Sequence, residues 1–321
     1  MRGKSRIVVG FREPAQHLPI RRQTAMPLGI RPINDFAFKK TFGTAENRVA
    51  LISLLNAILE PKSPIVDVTL ENPFNPQDFK DDKLSILDIK AVDGAGAIYD
   101  IEMQLAIFEG LVQRIVYYGC ELYAGQLARG EDYENLHPVY SIWLLNGILW
   151  PEATRVHHAF RLADRESGRV LREMLEIHTL ELGRYNLRES DLRSASTLDC
   201  WLYWLLHAHE YEPAALFELL PQPAIREATE TLARIAEITE DKAMYDAREK
   251  AIRDRKWELK ASFREGETKG ETNVRIETIQ SLQGLLGVPA SEEQELRTLT
   301  LEQLRALTSS LQEQLRNRTP S

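Results

Sequence analysis

Two apolar runs separated by a short turn constrain the fold of this chain more than any other feature of its sequence. Residues 84–92 and 97–106 are rich in apolar and β-branched side chains, a composition typical of buried strands. Residues 93–96 between them have the sequence Asp-Gly-Ala-Gly, and glycine tolerates the positive φ angles that hairpin turns demand. The pattern therefore predicts an antiparallel hairpin within a larger sheet.

Acidic side chains interrupt both strands of this hairpin. Asp100, Glu102 and Gln104 occupy alternate positions of the second strand, so they share one face. A three-residue loop centred on Ala95 would place Asp88 directly opposite Glu102, within reach of one divalent ion. A register shifted by one residue would put the two acids on opposite faces, so the hypothesis of a metal site depends on the register. Asp100 is nearer the turn, and we interpret it as a solvated acid without a functional role.

The rest of the chain predicts an α/β fold. Strand-like segments at 65–70, 138–145, 155–162 and 176–182 accompany the hairpin. One helix-like segment, at 45–59, precedes the first strand, and another, at 108–129, follows the hairpin. Such an order indicates a mixed sheet flanked by helices, followed by an all-helical C-terminal region.

This pattern divides the chain into five segments. Residues 1–27 are basic and are expected to form a flexible tail, residues 28–188 form the sheet-containing domain, and residues 189–265 form a helical region. Residues 266–273 contain two glycines and predict a linker to a small helical appendix at 274–321.

Composition and motifs limit the classes of function. The formal net charge of −8 gives no global support for nucleic-acid binding, although it does not exclude a local basic groove. Only two cysteines occur, and no apolar run approaches the roughly 18 residues of a membrane span, so we expect a cytoplasmic protein without a membrane partner. The chain has no Walker loop, no Gly-x-Gly-x-x-Gly and no serine elbow, which argues against a nucleotide cofactor and acyl transfer.

Five short motifs, taken in order, resemble one known family. They are FAFKKTFG at 36–43, LLNA at 54–57, LDI at 87–89, IEMQ at 101–104 and RIVYY at 114–118. With this order and spacing the chain resembles the Rpn family of recombination-promoting nucleases, also described as transposases, of the PD-(D/E)XK nuclease superfamily. The resemblance covers about residues 30–183. It implies a divalent-metal-dependent DNA endonuclease linked to recombination or mobile DNA.

The resemblance also implies roles for the hairpin residues. Asp88 and Glu102 match the acids of the superfamily motif and would bind the metal, with the main-chain carbonyl of Met103 as a third ligand. Such oxygen ligands suit Mg²⁺ or Mn²⁺, and Ca²⁺ also fits. Gln104 stands where the superfamily usually has lysine. Its amide can hydrogen-bond the attacking water but brings no charge.

A positive charge is therefore expected from a second metal ion or from another residue. We favour Lys83, which lies at the start of the Asp88 strand and is matched in the family pattern, with Lys39 and Arg114 as alternatives. A purely structural interpretation of the first acid remains open, in which Asp88 is a buried strand acid paired with Lys83 or Lys90.

Several other residues are candidates for contact with DNA or for an accessory role. Lys39 and Lys40 could bind the DNA backbone or form a solvated helix end. Arg114 and Tyr118 are four residues apart on one helix face, where they could contact phosphate or pack at the core edge. Asp35 is either an accessory acid or a helix N-cap.

Three classes of function follow from the sequence. The leading one is a Mg²⁺-dependent DNA endonuclease, and the alternative is a catalytically inactive nuclease-fold module that binds DNA or protein partners. The third is an interaction protein whose helical C-terminal half mediates assembly. A homodimer would suit cleavage of both DNA strands, since that needs two sites, but no sequence feature shows one.

Overall fold

A computed structural model describes residues 26–74 and 88–317, with Asp88 described through its main chain. The chain divides into two compact units, the first ending at Tyr245 and the second beginning at Asp246. The sequence-based boundary between residues 188 and 189 falls inside the first unit. The predicted N-terminal tail lies outside the described residues, apart from residues 26 and 27.

A six-stranded mixed sheet organises the first unit, as the sequence predicts. Its strands are β1 (Val68–Leu70), β2 (Asp88–Asp93), β3 (Ile98–Gln104), β4 (Val139–Leu145), β5 (His157–Arg161) and β6 (Leu175–Glu181). They lie in the order β1-β2-β3-β4-β6-β5. The pairs β3–β4 and β4–β6 are parallel, and the other three pairs are antiparallel.

Helices flank this sheet. They are α1 (Asp35–Phe42), α2 (Arg48–Leu59), α3 (Leu111–Ala124), α4 (Thr197–His207), α5 (Pro213–Leu219) and α6 (Pro223–Glu237), and α7 (Thr239–Leu286) begins in this unit. Helix α3 is shorter than the predicted 108–129. Gly110 at its start has φ 87°, which is not helical, and Gly125 caps its end by donating to the carbonyl of Glu121 at 2.8 Å.

The main core joins the N-terminal helices to the helices beyond residue 188. The ring of Phe42 in α1 lies 5.5 Å from that of Trp201 and 6.0 Å from that of Trp204, both in α4. All three rings are fully buried, in one cluster with Ile101 and Met103 of β3. A smaller cluster, Leu111, Ile115, Trp143 and Leu145, packs α3 against the opposite face of β4. The sheet is therefore covered on both faces, and its β2–β3 end is the part that the candidate site uses.

The second unit is helical. Helix α7 ends at Leu286 and is followed by α8 (Glu293–Leu296) and α9 (Leu301–Arg316), which pack through a small apolar cluster centred on Ile279 and Leu304. Within the described ranges, no helix combines the length and apolar character that crossing a membrane requires.

The structure corrects the predicted linker at residues 266–273, which are helical and lie within α7. Glu265 and Lys269 form an ion pair one turn apart at 2.7 Å, and the hydroxyl of Thr268 donates to the carbonyl of Arg264 at 2.9 Å. Each glycine costs about 1 kcal/mol relative to alanine in a helix, but the surrounding glutamate, lysine and arginine residues are strong helix formers. The flanking sequence therefore outweighs the two glycines.

Candidate active site

The hairpin register brings the two predicted metal ligands opposite each other. Asp88 pairs with Glu102 across β2 and β3, and Lys90 pairs with Asp100 two residues further along. Because alternate residues of a strand share a face, all four belong to the same face of the sheet. The predicted register is confirmed, and the metal-site hypothesis meets the condition on which it depends.

The side chain of Asp93 fixes the turn that sets this register. One carboxylate oxygen accepts hydrogen bonds from the main-chain N–H groups of Ala95 and Ala97, both at 2.9 Å. The other oxygen accepts from the phenol of Tyr99 at 2.8 Å. Burial, and then the hydrogen bond to Asp93, raise the pKa of Tyr99, so the phenol remains protonated and keeps donating. A loop held at three points resists slipping by one residue.

Gly96 adds a steric constraint to the same turn. Its φ is +85°, and a Cβ atom at this position would lie 2.5 Å from the imidazole ring of His137. Glycine is therefore required twice, for the backbone conformation and for the close approach of the segment that precedes β4.

Asp100 and Glu102 are buried carboxylates, with exposed fractions of 3% and 4%. The interpretation of Asp100 as a solvated acid is wrong, because helix α3 and the segment at 135–137 come together over the turn end of the hairpin. Their carboxylate oxygens are the ligand atoms that a hard divalent cation prefers.

The two acids line a cavity of about 760 Å³ bounded by β2, β3 and helix α3. Four of its described lining residues are acidic, namely Glu71, Asp100, Glu102 and Glu121. Uncharged polar groups come from Tyr118, Gln126 and Asn135, and an imidazole from His137. Lys90 is also in the described lining, so four carboxylates face one ammonium and the excess negative charge attracts cations.

Among the described residues that line this cavity, Lys90 is the one lysine. The sequence interpretation considered it only as a structural partner of Asp88. Its ammonium forms an ion pair with Glu71 at 2.9 Å. Its main chain is held by two hydrogen bonds, one from the N–H of Glu71 to the Lys90 carbonyl and one from the Lys90 N–H to the side chain of Asn72, both at 2.8 Å. The signal was present in the sequence, because Lys90 lies two residues after Asp88 and so on the same strand face.

Gln104 and Met103 lie at the end of β3. The half-buried side-chain amide of Gln104 donates to the main-chain carbonyl of Ala106 at 2.8 Å. The main-chain carbonyl of Gln104 accepts from the N–H of Asn146 at the same distance. The side chain of Met103 is 4% exposed and belongs to the main core on the opposite face. Any ligand from Met103 toward the acid face must therefore come from its main chain.

The other cations proposed from sequence are Lys83, Lys39, Lys40 and Arg114, and those that the structure describes are absent from the described lining of this cavity. Lys83 falls outside the described residues. Lys39 is half-buried in α1. Lys40 forms an ion pair with Asp241, and its ammonium lies 5.7 Å from the centroid of the Phe36 ring. Lys40 therefore has a structural partner in this unit, in keeping with the alternative to DNA contact.

Arg114 and Tyr118 pack on each other along α3, as their spacing predicts. The guanidinium of Arg114 lies 5.2 Å from the Tyr118 ring centroid and 5.9 Å from that of Trp143. Tyr118 lines the acidic cavity, whereas Arg114 is absent from the described lining. The structure thus brings Tyr118, but not the charge of Arg114, to the candidate site.

Asp35 is the buried first residue of α1, and the N-cap is its neighbour Asn34. The Asn34 side chain accepts from the N–H groups of Phe36 and Ala37, while the Asp35 carboxylate accepts from the Phe36 N–H at 2.8 Å. Asp35 thus also lies at the positive end of the helix dipole, where a carboxylate is stabilised.

The donors on the acid face have the chemistry that a hard divalent cation requires. Asp100 and Glu102 offer carboxylate oxygens, which Mg²⁺, Mn²⁺ and Ca²⁺ prefer. Among the side chains described, no group of three or more His, Cys, Asp and Glu residues is arranged to hold a metal ion. The set fits a cation provided that Asp88 or the main chain completes it.

Comparison with known proteins gives the family. A model described as "PD-(D/E)XK nuclease family transposase" matches residues 32–262, more than two thirds of the 321-residue chain. The match includes the whole sheet and continues through α6. Members of the PD-(D/E)XK nucleases generally use divalent metal ions. Neither a search of curated proteins nor a search of solved structures returned a match. In agreement with the resemblance to Rpn nucleases, the chain belongs to the PD-(D/E)XK nuclease family transposases.

Proposed function

We propose that this protein is a divalent-metal-dependent DNA endonuclease that hydrolyses phosphodiester bonds at the acid face of the β2–β3 hairpin. The observation that carries the proposal is the register, in which Asp88 pairs with Glu102 beside a second buried acid, Asp100. The family membership supports a nuclease-related role in the same region of the chain.

In this proposal Asp88, Glu102 and the main-chain carbonyl of Met103 hold the cation. A divalent ion bound there would supply Lewis acidity and lower the pKa of a bound water. Mg²⁺ is the expected ion, with Mn²⁺ or Ca²⁺ as substitutes. Gln104 would hydrogen-bond the attacking water and orient it, since an amide can donate and accept but carries no charge.

Charge explains why this cavity needs a cation before it can accept DNA. A phosphodiester is an anion, and the cavity presents the carboxylates of Glu71, Asp100, Glu102 and Glu121. Like charges repel, so the metal-free cavity should exclude the DNA backbone. We therefore expect DNA binding at this site to depend on the divalent ion.

The biological setting proposed here follows the family description. DNA is the expected partner, in recombination or in the movement of mobile elements, and a homodimer would let two sites cut both strands. A reducing cytoplasm fits the cysteines, because Cys120 and Cys200 are both free thiols.

Incubation of supercoiled plasmid with the purified protein and Mg²⁺, Mn²⁺ or Ca²⁺ tests the proposal. Asp88→Asn and Glu102→Gln should each reduce nicking by at least about 100-fold, whereas the exposed-acid control Glu152→Gln should leave it unchanged. Nicking that persists in both Asp88→Asn and Glu102→Gln would contradict the site assignment. Absence of nicking with retained DNA binding would favour the inactive, nuclease-fold binding module instead.

A further inference from the structure

We propose that Lys90 supplies, at the scissile phosphate, the positive charge that Gln104 cannot bring, and that Glu71 positions its ammonium. The inference rests on the proposed function and assigns the cation that such a site lacks. It replaces the sequence-based preference for Lys83.

The hairpin geometry puts Lys90 next to the acids. Lys90 pairs with Asp100, and the neighbouring pair on the same strand face is Asp88 with Glu102. Diagonal neighbours on one face of an antiparallel pair lie about 7–8 Å apart at Cα, within reach of a long side chain. Lys90 also lines the same cavity as Glu102. A phosphate held at the acids would therefore lie within reach of the Lys90 ammonium.

The charge of the cavity makes Lys90 the group that an anion would contact. Of the described lining residues, Lys90 alone is a lysine or arginine, and it faces four carboxylates. A phosphodiester gains charge on its non-bridging oxygens as water attacks, and a pre-placed ammonium stabilises that charge. Lys90 takes no part in the proton transfers: the oxygen of water bonds to phosphorus, the bond to one sugar oxygen breaks, water loses a proton to solvent and the leaving oxygen gains one.

Two other cations considered from the sequence, Lys40 and Arg114, have partners elsewhere. Lys40 is paired with Asp241, and Arg114 is stacked on the rings of Tyr118 and Trp143. Neither lines the cavity in the part of the chain that the structure covers. Lys90 differs from both, because its partner Glu71 is itself a lining residue.

The pair with Glu71 keeps the ammonium in place without neutralising it permanently. The two side chains are 32% and 42% exposed and 2.9 Å apart. Ion pairs this exposed contribute little to stability, so the ammonium can transfer from Glu71 to a phosphate oxygen at small cost. The backbone of Lys90 stays fixed meanwhile by its hydrogen bonds to Glu71 and Asn72.

The test compares Lys90→Met, Lys90→Arg, Glu71→Gln and Lys83→Met in the full chain, with the exposed Lys62→Met as the matched control. We expect Lys90→Met to lower the maximal nicking rate about 100-fold at saturating DNA, and Lys90→Arg to recover at least about ten-fold of that loss. Glu71→Gln, which removes the positioning partner but leaves the ammonium, should lower the rate about three-fold, and Lys62→Met should leave it unchanged. If Lys90 served only to hold Glu71, Lys90→Met and Glu71→Gln would lose activity and melting temperature alike, which would overturn the inference. A 100-fold loss in Lys83→Met without one in Lys90→Met would overturn it as well.

A second measurement separates this inference from the proposed nuclease activity. Binding of a labelled DNA duplex is measured with Ca²⁺ at several salt concentrations, and each lost phosphate contact should reduce the slope of log K against log salt by about 0.9. We expect that reduction in Lys90→Met and not in Lys62→Met or Glu71→Gln. If the unchanged protein never nicks DNA but Lys90→Met shows the reduced slope, the proposed activity fails and the phosphate contact stands. An unchanged slope in Lys90→Met would overturn the contact itself.

Discussion

The buried carboxylates of Asp100 and Glu102 line a cavity that also contains Glu71 and Glu121. The affinity of this cavity for a cation therefore depends on individual acidic side chains. Alternation along β3 was enough to assign Asp100 and Glu102 to one face from the sequence. The burial of Asp100 could not be predicted, because it depends on α3 and on His137, which are brought to the hairpin only by the tertiary fold.

Removing one of these charges should make the protein less dependent on metal. We expect Mg²⁺ or Mn²⁺ at about 100 times its dissociation constant to stabilise the unchanged protein by about 2.7 kcal/mol, which raises the melting temperature. Glu102→Gln should gain no stability from metal, since it lacks the proposed carboxylate ligand. The check is thermal unfolding with EDTA and with each ion. An equal metal-induced shift in Glu102→Gln and Glu152→Gln would contradict a ligand role for Glu102.

The hairpin turn sets the register that puts the acids on one face of the sheet. Its two glycines differ in backbone conformation and in the space available for a Cβ atom. Gly96 has φ +85° and no room for a Cβ beside His137, whereas a Cβ at Gly94 would meet nothing within 4 Å. We expect Gly96→Ala to lower the free energy of unfolding by about 2 kcal/mol or more and to reduce nicking, because the left-handed conformation and the clash both oppose it. Gly94→Ala should cost less than about 1 kcal/mol. Urea denaturation measures both, and equal losses would show that the turn does not fix the register.

The β5–β6 edge carries a stacked histidine pair with a predictable response to acid. His157 Nε2 lies 2.9 Å from His178 Nδ1, and His178 Nε2 lies 3.3 Å from the carboxylate of Glu176. Burial, and then the neighbouring His178, lower the pKa of His157 from 6.5 to about 4. The hydrogen bond from His178 lowers the pKa of Glu176.

The sign of the pH effect follows from these directions. Between about pH 6.5 and 4 the unfolded chain binds a proton at His157 that the folded chain does not, so stability falls as pH falls through that window. Since His157 is only half-buried, we expect a loss on the order of 2 kcal/mol. Glu176 adds a loss in the same direction, at still lower pH. His157→Gln should flatten the dependence and His158→Gln should not, as measured by urea denaturation across this range. A profile unchanged in His157→Gln would show that the histidine pair does not titrate on unfolding.

At the scale of the whole molecule, the helices beyond residue 188 complete the core of the first unit. Alternation and turn chemistry predicted the mixed sheet, since those signals are local. The placement of Trp201 and Trp204 against Phe42 was not predicted, because aromatic stripes indicate burial without naming the partner. The two glycines predicted a linker at residues 266–273, but these residues are helical because the helix propensity of their neighbours outweighs that of glycine.

This shared core predicts where the chain can be shortened. Phe36, Phe38 and Phe42 pack in one core with α4 and α6. A chain ending at residue 188 lacks both helices, and we expect it to lose cooperative thermal unfolding. A chain ending at residue 262, the limit of the family match, should retain it. Circular dichroism during heating distinguishes the two. Cooperative unfolding of the shorter chain at the full-length temperature would contradict a single core for this unit.

Cleavage of the polypeptide by its own bound metal reports whether the β2–β3 hairpin holds the ion. Fe²⁺ substitutes for Mg²⁺, and ascorbate with peroxide then generates radicals that cut the chain beside the ion. We expect cuts within residues 88–104, suppressed by excess Mg²⁺ and absent in Asp88→Asn and Glu102→Gln. Cuts clustered elsewhere, or cuts within this hairpin that persist in both variants, would contradict it.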